Sequence, residues 1–91
     1  MLRITRQPGV GNDTLLLEGK LMKEWLEELG RVLEHARGVP LALDLSGLSY
    51  LDADAARYLR ACRKRGITLV SASAFVKALI DPAPRRRSRP R

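Results

Sequence analysis

The chain has 91 residues, enough for one small domain whose core buries roughly 60–65 % of the unfolded chain's surface. A single cysteine, Cys62, excludes an internal disulfide, no apolar run approaches the length of a membrane span, and Arg3 and Arg6 stand where a secretory leader needs an apolar stretch; a reducing, cytoplasmic setting is expected. The net charge of +7 is unevenly spread: residues 82–91 carry five arginines and no acid, whereas residues 1–81 hold twelve cations against ten anions.

Leu2 to Arg6 sets Leu2 and Ile4 against Arg3, Thr5 and Arg6, the alternation of a half-exposed strand. Pro8-Gly9-Val10-Gly11-Asn12-Asp13 is turn chemistry, and Thr14–Gly19 reads as a second strand antiparallel to the first. The Gly-Val-Gly in that turn lacks the further glycine spacing of a phosphate loop and leads into a strand, so it is read as a turn.

Residues 22–37 have the clearest helical period, with Met22, Trp25, Leu26, Leu29, Val32, Leu33 and Ala36 on one stripe. Glu24, Glu27, Glu28, Arg31 and Glu34 lie opposite, and Gly38 and Pro40 are placed to end the helix. His35 falls on the polar face with no second ligand nearby, which reads as a solvated side chain.

Leu41–Leu45 is a short apolar run suited to a central strand covered by helices, and Ser46-Gly47 is expected to break it. Asp52 then caps a helix that reaches about Arg65, with Asp54 in the first turn where the dipole favours an anion. Ala55, Leu59 and Cys62 form its inner stripe, Ala56 and Tyr58 flank it, and Arg57, Arg60 and Lys64 occupy its outer face before Gly66 stops it. Cys62 on that stripe reads as a small core residue. Ile67–Ser71 is expected to be a further buried strand, and residues 74–80 a last short helix with Phe75, Val76 and Leu79 inward. Pro82 onward, PAPRRRSRPR, cannot build a core and is expected to be a disordered tail.

The order β-β-α-β-α-β-α predicts an α/β fold: a leading hairpin and two right-handed parallel crossovers make a mixed sheet of about four strands with helices packed on it, over residues 1–81.

Two motifs in this order resemble those of STAS domains, the fold of anti-sigma factor antagonists and of sulfate-transporter cytoplasmic domains. The first is Leu17-Glu18-Gly19-Lys20-Leu21; the second is the run LDLSGLSYLDADAARYL, residues 43–59, with Tyr50-Leu51-Asp52 at the usual interval. The resemblance covers residues 2–81 and implies a compact version without the family's last strand and helix. It also implies a phosphoacceptor serine directly after Asp52. Ala53 stands there, with no hydroxyl, and Ala55 replaces a glycine two positions on. A phosphate there would add about two negative charges to a partner surface. This chain cannot receive it at that position, and Asp54 supplies only one fixed charge a residue later.

The function expected from this resemblance is non-catalytic: an anti-sigma-antagonist-like protein-interaction module with no cofactor, whose partner is an anti-sigma kinase or a similar protein. The expected contact surface comprises the loop Leu48-Ser49-Tyr50, the helix start Asp52, Ala53, Asp54 and Ala55, and Arg57. Two other readings stay open. One is an accessory STAS subunit of a membrane transport assembly, with residues 85–91 lying on anionic headgroups; the other is charge-driven nucleic-acid binding through the same arginines. A weak homodimer could pair the acidic face of the first long helix with the basic stripe Arg57, Arg60, Lys64 of a second copy. Asp44, Asp52 and Asp54 could share a hard cation, but separate backbone tasks for each are the favoured reading, so no metal site is assigned.

Overall fold

The computed structural model describes residues 1–35 and 41–82. Strand β1 (Leu2–Pro8) turns through Gly11, at φ +84°, into β2 (Asp13–Leu21), and the two pair antiparallel from Leu2↔Gly19 to Pro8↔Asp13. A 3₁₀ turn at Lys23–Trp25 leads into α1 (Leu26–His35). Then come β3 (Leu41–Leu51), α2 (Ala53–Lys64), β4 (Thr68–Val70) and α3 (Ala74–Ile80). The sheet order is β1-β2-β3-β4, with β2, β3 and β4 mutually parallel. The mixed four-stranded α/β fold expected from the sequence is therefore present. The expected ends of the first helix (Ala36, Arg37, Gly38, Pro40) and the arginine tail fall outside the described residues.

One core joins the sheet to all three helices. Leu15, Leu17 and Leu21 of β2 and Leu43, Leu45, Leu48 and Leu51 of β3 meet Leu29 and Leu33 of α1, Leu59 of α2, and Val76 and Ile80 of α3. Each fully buried leucine is worth roughly 2–3 kcal/mol of removed apolar surface, so this leucine cluster carries the fold. The other face of the sheet carries the cross-strand row Thr5–Leu16–Asp44–Val70. Cys62 is buried in the core, and burial raises its thiol pKa, leaving it the inert small side chain its position predicts.

Two expectations about the middle of the chain are corrected. Ser46-Gly47 does not end the third strand; β3 continues to Leu51, so Leu48, Ser49 and Tyr50 lie on a strand and not in a loop. The β2–β3 register slips by one residue between Leu16 and Glu18 and again between Gly19 and Lys20. Each slip puts an extra residue in β3, and the inward positions change from a spacing of two (Leu43, Leu45) to a spacing of three (Leu45, Leu48, Leu51). An apolar period of three looks unlike a strand in sequence, yet every leucine still faces the core. Gly47 sits where β2 comes closest: a Cβ there would stand 2.6 Å from Glu18 Cγ and 3.0 Å from Leu17 O. The second correction concerns β4. It spans three residues at the sheet edge and is only half-buried, because β3 covers one side alone and Ser71, at φ 61°, turns the chain away.

At the far end of the hairpin Asp13 is the single buried charged residue among those described, 7 % exposed, and Arg6 Nε donates to its Oδ2 at 2.9 Å. Arg6→Ala is expected to lower stability by about 2 kcal/mol, since it strands a desolvated carboxylate. Thermal melts check this, and Asp13→Ala in the Arg6→Ala background should recover part of the loss. A neutral single mutant would mean that water replaces the guanidinium.

Candidate functional site

The site lies where β3 runs into α2. Asp52 has extended backbone and serves as the N-cap of α2, its Oδ1 accepting from Ala55 N at 2.8 Å. Its other oxygen, Oδ2, accepts from Lys23 N at 2.8 Å, at the start of the 3₁₀ turn before α1. One carboxylate thus closes two helix starts 29 residues apart in the chain. Those two bonds, that from Lys23 first, hold its pKa below the ordinary 3.8. Asp52 N in turn donates to Leu21 O at 3.3 Å.

Around this cap the expected contact residues divide. Leu48, 5 % exposed, and Ala55, fully buried, belong to the core and can support a contact surface only from beneath. Ser49, Tyr50, Ala53 and Arg57 are exposed, and Asp54 is half-exposed. Ser49 Oγ donates to Gly19 O at 3.2 Å, tying the two motif segments together. Arg57 Nη1 donates to Asp54 Oδ1 at 2.8 Å, so these charges pair along the helix. Asp44 is on β3 in the register row with Leu16 and Val70, and its Oδ1 accepts from Ser46 N at 2.9 Å. Each aspartate thus has its own partner, and among the described residues no group of three acidic, histidine or cysteine side chains converges as a metal site. His35 is exposed, with Nδ1 donating to Arg31 O at 2.9 Å.

Sequence reasoning misplaced one residue of this surface. Phe75 was expected to point inward, but it is 55 % exposed, and Val76 and Ile80 are the buried pair of α3. A seven-residue helix has room for one i, i+4 pair against the core, and Val76–Ile80 takes it, which turns the preceding residue outward. The Phe75 ring packs beside Tyr50, centroids 6.5 Å apart and planes tilted by 34°. Helix α3 is held in place by Ser73, whose Oγ accepts from Val76 N at 3.1 Å, by Arg60 donating to Ile80 O, and by a two-pronged Arg63–Asp81 pair at 2.7 and 2.8 Å. Phe75 therefore meets Tyr50 of β3 from an anchored helix.

No protein-family model matches the chain, and no curated protein matches it. Among solved structures, an uncharacterized protein of the DUF3478 family with a SpoIIAA-like fold, from Shewanella loihica PV-4, superposes with a TM-score of 0.55 over 81 % of this chain and 70 % of that one, at 20 % identity. The fold is SpoIIAA-like. This is the STAS-like architecture that the two leucine-rich motifs imply. Within the SpoIIAA-like fold Gly19 and Asp52 have mechanical tasks: the first lets β1 approach closely, and the second joins two helix starts. Among the described residues, no helix is long and apolar enough to cross a membrane.

Proposed function

We propose that this chain is a cytoplasmic, non-catalytic protein-interaction module of the anti-sigma-antagonist kind, whose docking is not switched by phosphate on the residue after Asp52. The observation that carries this reading is the aromatic pair: Tyr50, 38 % exposed and just before the Asp52 cap in the chain, and Phe75, 55 % exposed, pack ring beside ring on a domain with few aromatics to spare. Water-exposed aromatic rings held rigid lose little entropy on docking and are common anchors of protein interfaces. Ala53, exposed at the first position of α2, keeps this surface free of phosphate charge, so partner affinity stays constant through cycles of kinase activity.

The test is a nuclease-treated pull-down from native lysate with the full chain, Phe75→Glu and Asp54→Arg. One protein is expected with the wild-type chain, reduced about tenfold or more by either substitution, since a charge placed in a desolvated contact costs well over 1.4 kcal/mol. Recovery of a sigma-regulating kinase supports the reading, whereas recovery of a transporter subunit assigns the chain to membrane transport. Capture that survives both substitutions and disappears with nuclease overturns it.

A further inference from the structure

A second surface along the outer side of α2 shares Asp54 and Arg57 with the site above but is not lined by Tyr50, Ala53 or Phe75. One hollow, of about 410 Å³, opens between the start of α1 and α2, with Leu26, Tyr58 and Ala61 as its apolar lining and Lys23, Asp54 and Arg57 at its rim. A second, of about 220 Å³, is formed by Arg57, Arg60, Ala61 and Lys64. The two meet at Arg57 and Ala61, which line both, and make one furrow. Four cations, Lys23, Arg57, Arg60 and Lys64, border it against one carboxylate, Asp54, which is already engaged by Arg57. Arg60 is bonded to a backbone carbonyl, and Lys64 has no acidic partner among the described residues.

The geometry points to this furrow as a docking groove for an acidic amphipathic helix of a partner protein. Ala61 is the reason a groove exists at all: its methyl group leaves a gap at the centre of the ridge, with Arg57 four residues before it and Lys64 three residues after, about 10 Å of helix from end to end. An entering helix can place an apolar side chain over Ala61 and Tyr58 while carboxylates on its flanks reach the cations, which is the helix-in-groove mode of recognition. Nucleic acid offers the negative charge but no apolar stripe to cover Leu26 and Ala61, and the ring in the furrow, Tyr58, is half-buried. A second copy is a poor fit. Of the three acids that α1 would present, Glu27 and Glu28 are paired with Arg31, and Glu34 is engaged as well.

The inference names the chemistry of a partner and so rests on the interaction-module reading, but it is testable apart from it. The probe is a fluorescent synthetic helix with leucines along one stripe and glutamates on both flanks, followed by anisotropy on the full chain. Measurable binding is expected that weakens as salt rises, because screened charge is part of it. Ala61→Arg, on an exposed position, is the deciding variant: it adds positive charge yet fills the floor, and binding should fall about tenfold. Lys64→Glu should weaken binding about tenfold as well, and Phe75→Glu should leave it unchanged while reducing capture in the lysate experiment about tenfold or more. Circular dichroism melts confirm that each variant is folded. Unchanged or tighter binding by Ala61→Arg would mean charge alone and would overturn the groove. So would equal binding of a glutamine-for-glutamate probe, no binding of the acidic probe, preferential binding of duplex RNA, or displacement of the probe by self-association.

Discussion

Gly19→Ala is expected to cost the fold about 3 kcal/mol, read as a lower urea midpoint with an unchanged slope. Gly19 sits at φ +103°, where an L-residue alone costs about 1–2 kcal/mol. In addition, a Cβ would clash with Met1 O and stand 3.3 Å from Met1 C. Met1 O cannot simply retreat, because it accepts from Lys20 N at 3.0 Å, and losing that bond forfeits about 1 kcal/mol more. Gly11 provides the control. It also has a positive φ, +84°, but nothing lies within 4 Å of its missing Cβ, so Gly11→Ala should cost only about 1 kcal/mol. Equal losses at the two positions would show that the approach of β1 to Gly19 contributes nothing. The difference matters for the site as well, since Gly19 O is the acceptor for Ser49.

Asp52→Ala is expected to cost about 2 kcal/mol, because it frees the Lys23 and Ala55 N–H groups together. Asp52→Asn separates the two tasks. The amide oxygen can still cap Ala55, but its NH₂ would face the Lys23 N–H, donor against donor, so about 1 kcal/mol should be lost. The pH dependence follows from the sign of the shift. Asp52 has a folded pKa below the ordinary 3.8, so the wild-type advantage is fully present above the unfolded value and disappears as pH falls through the folded one. The stability gap between wild type and Asp52→Asn should therefore be constant at neutral pH and close progressively in acid below about pH 4. A gap that persists unchanged into strong acid would show that the carboxylate charge is irrelevant to the cap.

The same cap shows where sequence reading reached its limit. Asp52 as the start of α2 was legible, because a capping carboxylate acts on N–H groups two and three residues away. Its second bond, to Lys23, depends on how β2 and β3 bring distant chain segments to the same edge, and no local pattern encodes that. Phe75 is a similar case. Its neighbours Val76, Leu79 and Ile80 are all apolar, so the pattern offers several inward faces, and only packing against β3 and α2 selects one.

By itself, the sequence determined the element order, the hairpin, the parallel crossovers, the leucine core and the absence of a hydroxyl at Ala53. These rest on short-range periodicity, turn chemistry and residue identity, which act within a few residues. Only the tertiary structure decided that β3 runs on through Ser46-Gly47, that Tyr50 and Phe75 form an exposed pair, and that Ala61 leaves a furrow among cations. Each of those depends on strand register or on which helix face lies against its neighbour. Such choices are settled by close-packing of the whole core, where a one-residue slip is compensated by a bulge that the local sequence does not announce.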